Sequence, residues 1–163
     1  SKYKNLLTII IPRHIHRANK IKDEIQKLNL KVHLHNSKKK IDPQTDVYLV
    51  NSFGQTKSFF KTCKTVFLGG SIIEHGGQNP LEAVRYGCNV VHGPNVWNFE
   101  EIYSLLKKHN VSNKILNPGQ LTTKIDKILD MKTNSKNIEI KIKKLGDKIL
   151  NSTFNEIDYF INQ

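Results

Sequence analysis

Glu82 stands three residues after Asn79, in the segment His75-Gly76-Gly77-Gln78-Asn79-Pro80-Leu81-Glu82-Ala83. That segment follows an apolar run, Val66-Phe67-Leu68, and a turn, Gly69-Gly70-Ser71. A strand, a glycine-rich turn and a helix that opens on Asn-Pro present bare backbone N–H groups to an anion, so the stretch is a candidate phosphate site. Asn79 suits the N-cap and Pro80 the first helical position, where a missing N–H costs nothing and the fixed φ is already helical. The helix is expected to begin at residue 80. Gly76 and Gly77 carry no side chain to block a ligand and accept positive φ, which lets the loop lie against a phosphate oxygen. Glu82 has two readings, a capping-box partner of Asn79 or a carboxylate aimed one turn inward at a ligand hydroxyl. Glycines in such a turn also serve tight packing, so the turn alone is weak evidence for a ligand.

Other reactive residue types are sparse or poorly arranged. His14 and His16, and likewise His33 and His35, are two apart, so in an extended chain each pair shares a face and has metal-ligand spacing. Neither pair has a Cys or a close carboxylate, and structural or solvated histidine is the favoured reading, with no metal expected. Cys63 and Cys88 are the only cysteines. They are too few and too far apart for a metal framework, and their apolar neighbours suggest reduced thiols in a cytosolic setting. No Ser/His/Asp or Cys/His set stands out, and no carboxylate pair has an acid/base setting, so a general base is expected outside this chain.

The elements that position these residues alternate. Leu7 to Ile11 is a β-branched run ended by Pro12, after which Ile21, Ile25 and Leu28 mark a helical stripe. Leu30 to His35 and Asp46 to Val50 read as strands. Ser58 to Cys63 looks helical, Thr65 to Leu68 a strand, Pro80 to Tyr86 a helix, and Asn89 to Val91 a strand closed by Gly93-Pro94. A helix from about Phe99 to His109, a strand at Lys114 to Leu116 and a helix near Leu121 to Leu129 follow. This alternation implies an α/β fold, a Rossmann-like parallel sheet with helices on both faces and ligands at the carboxyl ends of the strands. The turn after Leu68 lies at such an end. In the tail, Ile138, Ile142, Leu145 and Ile149 are spaced for one helical face, and Leu150, Phe154, Ile157 and Ile161 repeat the spacing in a shifted phase. With Thr153-Phe154-Asn155-Glu156 as a possible capping box, a kinked or broken pair of C-terminal helices over about 136–162 is expected. Lys132 to Asn137 is the one linker-like stretch, and no internal repeat is visible.

Length and composition set the outer limits. With 163 residues, 37% of them hydrophobic, the chain is expected to form one domain, residues 1–163, with ample core. It begins Ser1-Lys2 without an initiator Met and is read as an excised half of something longer. No signal peptide is visible, and no segment approaches the roughly 18 apolar residues of a membrane helix. The net charge of +12 comes almost wholly from Lys, with Arg only at 13, 17 and 85. Phosphate clamps and base readers favour Arg for its planar fork, and these Lys residues are scattered apart from Lys38-Lys39-Lys40. Solvated surface is the first reading and attraction to an acidic membrane surface the second, with no nucleic acid expected as a partner.

Several segments together resemble a known family. Ile11-Pro12-Arg13-His14 after the first strand, Asn51-Ser52-Phe53-Gly54-Gln55 after the third, Phe67-Leu68-Gly69-Gly70-Ser71, the His75 to Glu82 element, and Gly93-Pro94-Asn95 with Asn98-Phe99 occur in the order seen in the 3-deoxy-D-manno-octulosonic acid (Kdo) transferases. The chain is similar to their C-terminal, donor-binding half over about residues 5 to 160. His-Gly-Gly-x-Asn-Pro-Leu-Glu is the most specific part.

The resemblance implies the C-terminal lobe of a two-domain GT-B glycosyltransferase of a Gram-negative bacterium. This half would hold CMP-Kdo, and an N-terminal half would carry the acceptor site and the catalytic carboxylate. Kdo would pass from CMP-Kdo to a hydroxyl of the lipid A precursor in lipopolysaccharide biosynthesis, with no cofactor and no metal in the chemical step. The full-length protein would work at the cytoplasmic face of the inner membrane, with this domain soluble. Pro12, Arg13, Phe53, Gly54, Gln55, Gly70, Ser71, Gly76, Gly77, Asn79, Pro80, Leu81 and Glu82 would line the donor site. Arg13 would neutralise the phosphate, Phe53 to Gln55 would contact the cytidine, and Glu82 would accept bonds from the ribose hydroxyls. Gln78 stands where many relatives have a second His, Gln55 where they have an acidic residue, and polar His92 where an apolar residue is expected. Two rivals remain: half of a UDP-sugar transferase or epimerase, or a non-catalytic basic module that binds RNA or another anion.

Overall fold

The structure is a computed structural model that describes residues 6–130 and 135–162. The chain divides into two compact units, Ser1–Thr56 and Lys57–Gln163.

The first unit is a three-stranded parallel sheet in the order β1-β3-β2, built from β1 (Thr8–Ile10), β2 (Val32–Leu34) and β3 (Val47–Leu49). Ile10 and Leu34 both register with Leu49. Helix α1 (Ala18–Gln26) crosses from β1 to β2 and buries Ala18 and Ile25. It stops at Gln26, and three residues on Asn29 takes φ +59°, the left-handed turn that commonly follows a helix end. The stripe ends sooner than its spacing suggests, because Leu28 lies past α1 and is 70% exposed.

The second unit is another parallel sheet, in the order β4-β5-β6: β4 (Thr65–Leu68), β5 (Asn89–His92) and β6 (Ser112–Lys114). Alternation along β5 sends successive side chains to opposite faces. Val90 packs in a cluster with Phe60 of α2 (Thr56–Thr62), Ala83 and Val84 of α3 (Leu81–Arg85), Leu106 of α4 (Glu100–Lys108) and Ile138 and Ile142 of α6 (Ser135–Ile161). Val91 packs with Ile115 and with Ile128 of α5 (Pro118–Asp130). This sheet therefore has helices on both faces, and the α/β class with parallel strands is as expected.

Three expectations need correction. The β6 strand is Ser112–Lys114 rather than Lys114 to Leu116. Its residues are polar, and the buried Val111 and Ile115 flank it instead of forming it. Helix α5 begins at Pro118, three residues before Leu121, because Asn117 Oδ1 accepts the Gln120 N–H at 3.0 Å and caps it. The C-terminal pair of helices is one continuous helix. Thr153 does not start a second one: its hydroxyl donates back to the Ile149 carbonyl at 3.0 Å, a bond made inside a helix. Of the linker-like stretch, residues 132–134 lie outside the described residues, and residues 135–137 are the first turn of α6.

Candidate functional site

In the first unit, two groups of expected site residues follow adjacent parallel strands at their carboxyl ends. Pro12 and Arg13 come after β1, with Pro12 half-buried and Arg13 exposed. Asn51 to Gln55 come after β3; Phe53 is 73% exposed, and Gly54 turns the chain at φ +77° with open space around it. Asn51 Oδ1 accepts the Asn36 N–H at 3.1 Å and ties the ends of β3 and β2 together.

In the second unit the loops after β4 and β5 are laced to one another. Ser71 is fully buried, and its hydroxyl donates to the Leu68 carbonyl at 2.6 Å while accepting the Gly93 N–H at 2.8 Å. The Ser71 carbonyl accepts the Asn95 N–H at 2.9 Å, and the Asn95 side-chain amide donates to the Ile72 carbonyl at 2.9 Å. Gly93 is glycine because a Cβ there would run into the Ser71 backbone. The Gly77 N–H donates to the Gly70 carbonyl at 3.0 Å, and the Asn98 N–H donates to the Gly76 carbonyl at 3.3 Å. Both Gly76 and Gly77 are buried at positive φ, where a Cβ would meet the Asn98 side chain or crowd Val96. Their identity follows from this packing, which corrects the expectation that both lie open to a phosphate. Ser71 and the Gly77 amide are likewise engaged within the protein.

The donors left to the surface of this loop are therefore fewer than the sequence suggests. Among the described residues the N–H groups of Gly76, Gln78, Asn79, Glu82 and Ala83 have no protein acceptor, and of these residues Gly76 and Ala83 are buried. Asn79 is exposed, and its Oδ1 accepts the Leu81 N–H at 3.0 Å, which is the capping role its type predicts. Pro80 has helical φ and ψ of −83° and −14°, and regular helix runs from Leu81, one residue later than expected. Glu82 makes no capping-box bond to Asn79. Its carboxylate is exposed and sits 3.8 Å from the Lys57 ammonium.

One residue of this region was not expected as part of it. Tyr103 of α4 is buried, and its hydroxyl donates to the Gln78 carbonyl at 2.8 Å. Its ring packs on that of His92 with centroids 4.2 Å apart. The His92 Nδ1–H donates to the Gly93 carbonyl at 2.8 Å, which fixes the tautomer, since a carbonyl only accepts. Burial pulls the His92 pKa below its usual value and pushes the Tyr103 phenol well above its own. Tyr103 sits at an ordinary core position of an amphipathic helix, and only the unusual His92 at the end of β5 hints at it in the sequence.

The remaining candidates have structural partners. The Cys88 thiol is pushed up to about 12 by burial and by Cys63, and it donates to the Phe60 and Cys63 carbonyls. His33 stacks on Tyr48 at 5.4 Å, and His35 Nδ1 lies 2.9 Å from the Tyr48 hydroxyl. No group of three or more His, Cys, Asp or Glu among the described residues has the arrangement to hold a metal ion. No helix among them is long and apolar enough to cross a membrane.

No protein-family model matches the chain. Over 150 residues it is 27% identical to the 3-deoxy-D-manno-octulosonic acid transferase of Haemophilus influenzae, an overlap of 92% of this chain and 34% of that protein. Over 147 residues it is 27% identical to the Aquifex aeolicus protein of the same name, 90% of this chain and 39% of the relative. The chain thus spans little more than a third of the length of these curated relatives. In structure it is similar to the C-terminal CMP-Kdo binding domain of WaaA from Acinetobacter baumannii, with a TM-score of 0.79 and 26% identity over 88% of this chain and 75% of that one. On sequence and on fold together, the chain corresponds to the C-terminal half of the 3-deoxy-D-manno-octulosonic acid transferases.

Proposed function

We propose that residues 1–163 act as one nucleotide-sugar binding domain, the donor-binding half of a glycosyltransferase that passes Kdo from CMP-Kdo to a hydroxyl of the lipid A precursor. The observation that carries this reading is the shared fold with a CMP-Kdo binding domain over 88% of the chain. The loop geometry is compatible with it. The Asn79 N–H, on an exposed residue and without an internal acceptor, suits a phosphate oxygen. The Glu82 carboxylate, one turn further on and not used as a cap, suits the ribose hydroxyls. Arg13 neutralises phosphate charge, and the Phe53-Gly54-Gln55 turn, exposed at Phe53 and Gly54 and half-buried at Gln55, contacts the cytidine, where Gln55 supplies an amide in place of a carboxylate. Gly70, Ser71, Gly76 and Gly77 act behind this surface by holding the loop in shape. The catalytic carboxylate and the acceptor site belong to the rest of the enzyme, which works at the cytoplasmic face of the inner membrane, and the exposed Lys38-Lys39-Lys40 suits an anionic lipid surface.

Replacing Glu82 or Arg13 by Ala removes a bond to or from a charged group, a loss of roughly 1.5–3 kcal/mol. Calorimetry is expected to show CMP binding about tenfold or more weaker in each variant. Wild-type affinity in both would defeat the site assignment.

A further inference from the structure

We infer that Tyr103 is a positioning residue for the phosphate of the donor, acting through the peptide bond between Gln78 and Asn79. The inference rests on the donor-binding reading above and adds to it a residue that touches no ligand. A trans peptide unit is planar, with its C=O and N–H pointing in opposite directions, and the chain has no cis peptide among the described residues. The Tyr103 hydroxyl, from a buried side chain on α4, holds the Gln78 carbonyl at 2.8 Å. The N–H of the same peptide unit, that of Asn79, is thereby turned away from α4, and it has no acceptor among the described residues. Without the hydroxyl, this peptide is free to rotate and the N–H loses its fixed direction.

The rest of the loop is held in other ways, which isolates the contribution of Tyr103. The Gly77 amide is bonded to Gly70, the Gly76 carbonyl to the Asn98 amide, and the Leu81 amide to the Asn79 side chain. Among the described residues the Gln78–Asn79 peptide has only the tyrosine. His92 completes the device. Its ring packs 4.2 Å from the Tyr103 ring, and its own Nδ1–H is committed to Gly93, which fixes the imidazole in place as a support for the phenol.

Tyr103→Phe keeps the ring and its packing on His92 and deletes only the hydroxyl. Titrations of the wild-type chain and of this variant with CMP and with cytidine separate orientation of the phosphate donor from general loosening. Tyr103→Phe is expected to weaken CMP roughly three- to tenfold, the worth of one hydrogen bond, and to leave cytidine unchanged. In ¹⁵N-resolved spectra the Asn79 amide is expected to shift with CMP in the wild type, and to shift less in the variant at matched saturation. Equal weakening of both ligands in Tyr103→Phe would overturn the inference in favour of a purely structural tyrosine. Unchanged CMP affinity in Tyr103→Phe, beside a Glu82→Ala variant that does lose affinity, would overturn the tyrosine's role and leave the donor reading standing. Unchanged affinity in Glu82→Ala and Arg13→Ala would bring down the donor reading and this inference with it.

Discussion

Gly76 and Gly54 share a positive φ, +82° and +77°, yet they differ in what surrounds them. A Cβ at Gly76 would collide with the Asn98 side chain, whereas one at Gly54 meets open space. Gly54→Ala is expected to cost about 1 kcal/mol of backbone strain, and Gly76→Ala about 2 kcal/mol or more, from strain and displacement of the Asn98 segment together. Urea denaturation of the two variants checks the order. His92 gives a prediction in pH. Burial keeps its folded pKa below the ordinary 6.5, so below pH 6.5 the unfolded chain takes up a proton that the folded chain refuses. The stability present above pH 6.5 is therefore lost as the pH falls through that value toward the folded pKa. Denaturation midpoints for wild type and His92→Met between pH 7.5 and 5 should show a smaller loss in the variant. A parallel loss in both would assign the pH dependence to other groups.

Among the elements, those with an apolar run or a clear stripe were legible in the sequence, and those defined by polar contacts were not. The β4 strand matches its expected bounds because Val66, Phe67 and Leu68 are the apolar residues that the sheet needs. The β6 strand carries Ser112, Asn113 and Lys114, and is held by ladder bonds and by the Asn113 side chain, which donates to Asn89 Oδ1 at 2.7 Å. No hydrophobic pattern marks such a strand. The Asn-Pro opening at residues 79 and 80 recurs at 117 and 118, where the Asn side chain again accepts a first-turn amide and starts α5. In α6 the shift of apolar phase looked like a break. The helix is continuous because only its first turns pack on α3: Ile138 and Ile142 are buried, while Phe154, Ile157 and Ile161 stay exposed and impose no kink. Gly146 lies in this exposed stretch with nothing near its Cβ position. Gly146→Ala is expected to raise stability by about 0.5–1 kcal/mol, since alanine lowers the entropy cost of the helix and meets no neighbour. Loss of stability in that variant would argue against a continuous helix there. In the candidate site, residue types were legible and their availability was not. Ser71 and Gly77 belong to the motif, but the Ser71 hydroxyl is spent on Leu68 and on Gly93 of the loop after β5, and the Gly77 amide on Gly70 of its own loop, pairings that the residue types alone do not show.

For the whole molecule, the decisive quantities are length and charge. The chain covers 34% and 39% of two curated relatives, so ligand binding is the property to measure here. The net charge of +12 draws any polyanion, and a purely electrostatic binder would lose affinity steeply with salt while ignoring Glu82→Ala. A pocket for one nucleotide is different, because it discriminates between bases of equal charge. The direct measurement is a calorimetric titration of the chain with CMP, UDP and AMP at one ionic strength. Preference for CMP, even with a dissociation constant on the order of millimolar, or roughly −4 kcal/mol, is the predicted result. Equal affinity for all three, or tighter binding of UDP, would contradict the assignment of this chain as a Kdo-donor domain.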